Sequence, residues 1–309
     1  MISRRNIRVK VMQTLYTVDS LQGDMKVEEA DKLLTKHLDQ SRQLFAYLVY
    51  FLTEVARYAE TDARLRASKH LPSNEDLHVN IKLAGNELVW FFLEQADFKA
   101  VVDEYKLNLL LNSELVRKIY IELTASKEYQ AYIKELSREK KAEKKILEFI
   151  FSHLMLANDS FIDHIEENFI HWQDDADMMN QLVLHLLSKP QGSIFSDFIS
   201  TEKWKYAKDL LRTVLEKKSH CQELITPKLK NWDAERIATL DMIIMEMGVA
   251  EFLYFETIPP KVTINEYIDI AKEYSTAQSG QFVNGILDNI HKELVADNKL
   301  HKVNFKKAL

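Results

Sequence analysis

Gln281–Ile290 reads QFVNGILDNI, and two opposite structures compete for it. Asn284-Gly285 is the strongest short signal for a two-residue hairpin turn. Phe282, Ile286 and Ile290 recur at i, i+4 and i+8, with Val283 and Leu287 beside them, and this is the apolar face of a helix. A glycine inside a helix costs about 1 kcal/mol relative to alanine. The choice between the two therefore rests on the rest of the chain.

The 309 residues include only six Gly and five Pro, well below the roughly 12% of average usage. Pro72 is the only proline between Met1 and Lys189. Hairpins need turn residues in numbers that this chain lacks, so it reads as all-α, and QFVNGILDNI reads as a helix. The length admits one large domain or two ordinary ones.

Ile7, Val11, Leu15 and Val18 form a helical stripe up to about Asp19, flanked by Arg4 and Arg8, and LQGD breaks it at Gly23. Arg5, Met12 and Tyr16 share a second face. Helical periodicity continues through VEEADKLLTKHL and SRQLFAYLVYFLTEVARYAE, then from Ile81 to Phe98, Ser113 to Thr124, Ile146 to Trp172 and Ala176 to Leu187. SKPQGS, at 188 to 193, is the clearest linker. Beyond it, Thr263 and Glu266 after Pro259-Pro260 have the spacing of a capping box, and Ser279 is placed to cap the helix that holds Phe282.

Cys221 is the single cysteine, which excludes an intramolecular disulfide and a multi-cysteine zinc site. LFAYLVYFL, Leu44 to Leu52, is the longest apolar run, far short of the roughly 20 residues that cross a bilayer. Lys10 and Gln13 interrupt any signal-peptide core in MISRRNIRVKVMQ. The expectation is a soluble cytoplasmic protein without membrane contact. The net charge of −6 is concentrated in the middle of the chain. Residues 25–197 hold 21 basic and 29 acidic residues, and the rest sums to +2.

Asp163, His164, Glu167 and His171 have helical spacings, but Glu-x-x-His occurs only at Glu75 to His78. A di-iron bundle needs that motif on two helices, so no metal site and no cofactor are expected. Phosphate-binding glycine loops and nucleophile elbows are absent from the sequence, and the chain does not read as an enzyme. Arg4, Arg5, Arg8 and Lys10 lie within seven residues at a helix start, with no acid before Asp19. Cations there oppose the helix macrodipole, and an anionic partner such as an RNA backbone would offset that. Glu251 falls on the apolar stripe with Ile237, Leu240, Ile244 and Met247. It is either a satisfied core carboxylate or a contact for another protein.

RRNIRVKVMQTLYTVDSLQ, YAKDLLRTVLEKKSHCQELITPKL, RIATLDMIIMEMGVAEF, IPPKVTINEYIDIAKEYS and QFVNGILDNI resemble the successive helices of the NusB family of bacterial transcription antitermination factors. The VTINEYIDIAK…FVNGILD pair is the most specific part. The resemblance covers about 1–24 and 198–309, a discontinuous NusB-like core, with 25–197 as a helical insertion. It implies an all-helical fold of two small bundles. It also implies that Gly285 permits close helix approach.

The resemblance further implies binding of boxA RNA of ribosomal RNA leaders together with NusE, a small-subunit ribosomal protein, within the RNA polymerase antitermination complex. On this reading the RNA-binding residues are Arg4, Arg5, Arg8, Lys10, Gln278, Ser279, Gln281 and Phe282. Tyr16 and Glu251 are the NusE contacts. Gln278 and Gln281 stand where some family members have an aspartate and a lysine, and LYFE, Leu253 to Glu256, stands where basic residues can occur. The aromatics around 252–255 would then be covered by the insertion. The alternative is a NusB-fold adaptor whose acidic insertion binds protein and has replaced RNA binding.

Overall fold

The computed structural model describes residues 2–21, 25–190, 194–229 and 237–303. Among them are sixteen α-helices and no strand. The first eleven are α1 (Arg4–Ser20), α2 (Val27–Ala67), α3 (Asn74–Leu77), α4 (Glu87–Glu94), α5 (Ala96–Glu104), α6 (Leu107–Leu110), α7 (Ser113–Ala125), α8 (Lys127–Lys134), α9 (Lys140–Phe149), α10 (Asp159–Asn168) and α11 (Trp172–Ser188). The remainder are α12 (Thr201–Glu216), α13 (Lys218–Ile225), α14 (Thr239–Tyr254), α15 (Pro260–Tyr274) and α16 (Ser279–Ala296). A π-helix, Ile150–Met155, continues α9, and a 3-10 turn, Thr226–Leu229, follows α13. No helix among the described residues is long and apolar enough to cross a membrane. Gly23 and residues 191–193 of the expected linker lie outside the described residues.

The chain forms two compact units. The central unit takes residues 39–199 together with Ile2, and the discontinuous unit takes 3–38 and 200–309. Residues 25–38, grouped with the insertion on sequence, pack in the discontinuous unit. There the Arg212 Nε–H donates to Asp31 over 2.8 Å, and His37 Nδ1 lies 3.2 Å from the Thr14 hydroxyl. The two helical segments read at 27–60 are one helix of 41 residues, because no Gly or Pro interrupts them. Glu28 and Glu29 in its first turn and Arg64 and Arg66 in its last complement the dipole.

In the central unit two expected helices divide. The periodicity from Ile81 begins in turns, and α4 starts only where Asn86 accepts the N–H groups of Leu88 and Val89. The run from Ile146 to Trp172 is interrupted by the π-helix and by a second start at Asn158, which accepts from Phe161 N–H. A π turn keeps the apolar residues inward while shifting their register, so periodicity passes through it unnoticed.

In the discontinuous unit every residue from Ile243 to Phe252 of α14 is buried, the mark of a central helix. Around it pack α1, α12, α13, α15 and α16. Two expected caps are corrected. Pro259 is the N-cap of α15, and Pro260 opens the helix without needing an N–H donor. Thr263 therefore lies one turn inside, fully buried, with its hydroxyl on Glu251. Ser279 is the first residue of α16 rather than its cap, and it donates to Asp241 Oδ2 over 2.7 Å.

QFVNGILDNI is helical, but Gly285 does not serve close packing. It faces solvent, and a methyl group there would meet nothing within 4 Å. The close approach is made from the other side. A Cβ on Gly248 of α14 would stand 2.9 Å from both methyl carbons of Leu287, itself fully buried on α16. Gly248→Ala is expected to destabilise the fold by about 1–3 kcal/mol through overpacking, and Gly285→Ala to stabilise it by about 0.5–1 kcal/mol. Urea unfolding midpoints measure both, and shifts of the same sign in the two variants would refute this assignment of roles.

Candidate functional site

Ser3 caps α1 by accepting the Asn6 N–H over 3.2 Å, and no acid stands in the first turn. The arginines that follow all find carboxylates on other helices of their own unit. Arg4 pairs with Glu202 of α12 at 2.5 Å. Arg5 pairs with Glu273 at 2.8 Å and Asp269 at 3.5 Å, both on α15. Arg8 grips Glu251 of α14 with Nε and Nη2, at 2.7 and 3.1 Å, and reaches Glu266 at 3.2 Å.

The Arg8–Glu251 pair is interior, with relative exposures of 2% and 0%. Glu251 Oε1 also accepts the hydroxyls of Tyr206 at 2.5 Å and Tyr267 at 3.0 Å, and Oε2 accepts Thr263 at 2.9 Å. The guanidinium carbon of Arg8 lies 5.7 Å from each tyrosine ring centroid. Burial alone would lower the Arg8 pKa, but the Glu251 hydrogen bonds and the surrounding negative charge hold it above its ordinary value. Burial first, and then the Glu251 charge, push Tyr206 and Tyr267 well above the ordinary tyrosine range. Four helices thus meet in a charged pair with every carboxylate oxygen engaged.

This geometry selects the first of the two readings of Glu251, a satisfied core carboxylate. It also withdraws Arg8 from the surface. Lys10, Ser279 and Phe282 are likewise buried, at 0%, 1% and 6%. The exposed members of the expected site are Gln278 and Gln281, with Arg4 and Arg5 partly exposed. Arg5 and Glu273 bring the start of α1 to the end of α15, five residues ahead of Gln278. Tyr16 is exposed on α1, about 16 Å along the helix from Arg5.

Sequence reasoning missed the acids that face the arginines. Glu266, Asp269 and Glu273 recur at helical spacing on α15, a signal that a face of the helix is acidic. It also missed Lys302, whose ammonium donates to the carbonyls of Glu251 and Phe255 at the end of α14. Burial pulls that amine down to about 8. Of the aromatics near 252–255, Phe252 and Phe255 have partners in their own unit, and Tyr254 is exposed. The Phe252 ring lies 5.8 Å from the His291 ring, and Phe255 meets Tyr206 edge-on at 5.7 Å.

Other candidates for chemistry are occupied. His164 lies 2.6 Å from the Tyr47 hydroxyl, and burial lowers its pKa. His171 precedes α11 and is not on the helix of Asp163, His164 and Glu167. Among the described residues no group of three or more His, Cys, Asp or Glu side chains is placed to hold a metal ion. Burial pushes the Cys221 thiol up to about 12, the opposite of an activated nucleophile.

Removing one member of the buried pair strands the other. Glu251→Ala and Arg8→Ala are each expected to destabilise the fold by about 3–5 kcal/mol, and an Arg8→Met/Glu251→Leu double variant by much less than the sum. A double-mutant cycle in urea tests this, and strict additivity would show that the two residues are not coupled.

Residues 171–292 match the family model described as NusB family. Three curated relatives carry the name "Transcription antitermination protein NusB". The one from Methylacidiphilum infernorum (isolate V4) is 44% identical over 94 residues, 30% of this chain and 62% of the relative. The one from Salinibacter ruber (strain DSM 13855 / M31) is 41% identical over 97 residues, 31% of this chain and 61% of the relative. The one from Chloroherpeton thalassium (strain ATCC 35110 / GB-78) is 38% identical over 113 residues, 36% of this chain and 54% of the relative. The chain thus spans between 54% and 62% of the length of these relatives. No solved structure matches. Residues 171–292 form a NusB-family domain, preceded in the chain by a long set of further helices.

Proposed function

We propose that this protein is a non-catalytic transcription antitermination factor that binds boxA RNA of ribosomal RNA leaders together with NusE. The observation that carries the reading is the match of residues 171–292 to the NusB family model, together with the likeness over 94 and 97 residues to relatives named for antitermination. In this reading it works in the cytoplasm as part of the RNA polymerase antitermination complex.

The RNA surface is the end of the discontinuous unit where Arg4, Arg5, Gln278 and Gln281 are accessible. Arg4 and Arg5 bind phosphate by exchanging their carboxylates. Ion pairs this exposed contribute about 0.2–1 kcal/mol each, so phosphate displaces them at little cost. Gln278 and Gln281 offer amides to unstacked bases. Tyr16, an exposed aromatic on the same helix as the arginines, is the NusE contact. Arg8, Lys10, Glu251, Ser279 and Phe282 act from the interior, by fixing α1 and the start of α16.

The adaptor reading is favoured by one observation. All three arginines of α1 are already paired within the unit, and residues 39–199 add 18 basic and 26 acidic residues, net −8.

The two readings separate on RNA. Titration of boxA RNA at several salt concentrations, with and without NusE, is expected to show binding whose salt slope falls by roughly 0.7 for each of Arg4→Ala and Arg5→Ala. Glu202→Gln, which frees Arg4, and Asp269→Asn/Glu273→Gln, which frees Arg5, should each tighten binding by up to about fivefold. Absence of RNA binding under all conditions would select the adaptor.

A further inference from the structure

We infer that the central unit carries a docking groove for a helix of another protein, apolar on one face and basic at its ends. The groove, about 650 Å³, lies between α8, the α9–π-helix segment and α11. One wall presents Glu128, Ala131, Tyr132 and Glu135 of α8 and its cap. Their spacing of i, i+3, i+4 and i+7 makes them a single helical face. The opposite wall presents Ala142, Ile146 and Phe149. Alanines on both walls leave the trough open, and Leu184 of α11 closes it. Two helical walls over an apolar trough are the geometry that receives the i, i+3 or i+4, i+7 anchors of an amphipathic helix.

The trough is preformed. The Tyr132 hydroxyl donates to Glu143 Oε1 over 2.8 Å. Glu143 is fully buried and accepts the Glu87 N–H over 2.9 Å. The Lys82 ammonium lies 4.3 Å from the Tyr132 ring centroid and donates to the Tyr132 carbonyl. Where α9 passes into the π-helix, the Phe149 and His153 rings stack at 5.3 Å and 17°. Such π segments recur at functional sites. A wall held this firmly loses little freedom when a ligand enters.

Charge selects the occupant. The lining carries Glu128, Glu135 and Glu148 against Lys145. Glu148 is neutralised by Lys144 at 3.3 Å. Glu128 and Glu135 are exposed and form no ion pair among the described residues. They mark the two ends of the α8 wall, about 10 Å apart along the helix. A helix with lysine or arginine at both ends pairs with them. A second copy would bring one set of glutamates against another.

The test uses full-length protein and fluorescein-labelled synthetic helical peptides of sixteen residues, with Leu, Ile, Met or Phe at i, i+3 and i+7. Each is made with lysine at both ends and again with glutamate at both ends. Fluorescence anisotropy is expected to show micromolar binding of at least one lysine-ended peptide. Ala142→Trp, which fills the trough, should weaken it at least tenfold while leaving the circular dichroism unchanged. Glu128→Lys/Glu135→Lys should weaken the lysine-ended peptide about tenfold and bring its glutamate-ended counterpart to the original affinity. The proposal is overturned if no lysine-ended peptide binds, if Ala142→Trp binds as wild type, or if the two peptide ends are bound equally by wild type. Sedimentation showing a dimer that Ala142→Trp dissociates would assign the groove to a second copy and also overturn it.

Discussion

The discontinuous unit depends on the contact between Arg8 and Glu251, 243 residues apart in the chain. Taking two charges out of water costs several kcal/mol per ion, and their attraction offsets this only with good geometry and further hydrogen bonds. Those conditions are met by two tyrosines and a threonine delivered from α12 and α15. The arrangement is satisfied in one relative placement of α1, α12, α14 and α15. A small rotation of α1 would leave a guanidinium and a carboxylate unpaired in the interior. The pair therefore acts as a registration device for a helix whose sequence neighbours, after Leu38, fold into a different unit.

The same constraint explains why α14 is apolar all round except at its carboxylates. A helix enclosed on every side has no solvent face on which to place polar residues, so each one needs an assigned partner. Asp241 has Ser279, Glu246 has Gln222, and Glu251 has the Arg8 cluster. Gly248 allows Leu287 to reach the backbone of the enclosed helix. At the C-terminal end, the Lys302 ammonium donates to the carbonyls of Glu251 and Phe255, where a cation complements the helix dipole.

What was legible in the sequence follows from what periodicity measures. It reports which face of a segment is apolar, and on that basis QFVNGILDNI reads as a helix and Glu251 as a carboxylate on an apolar stripe, either satisfied in the core or a contact for another protein. It does not report what stands opposite. The role given to Gly285 belongs to Gly248 because the contact between α14 and α16 is made by Leu287, which no local pattern reveals. Thr263 has capping-box spacing, yet the preceding prolines had already started the helix. Arg8 looked like a surface cation because its neighbours are Arg4, Arg5 and Lys10, and only the fold shows that one of these side chains points inward at an acid from α14. The π-helix escaped notice because its residues stay apolar through the change in register.

The pairing of the α1 arginines carries a consequence for how such a surface can recognise an anion. An unpaired cluster of cations at a helix start would raise the local potential and bind phosphate without discrimination. Here each exposed arginine has a carboxylate within 2.5–2.8 Å, so the surface is close to neutral until a ligand replaces the acids. A ligand that offers a single charge gains little over the carboxylate it displaces. One that offers several phosphates at the right spacing, with base edges in reach of Gln278 and Gln281, gains on each contact together. Neutralised arginines thus trade raw affinity for dependence on the whole ligand, and on the proposed reading that dependence is what would select one RNA segment over bulk nucleic acid.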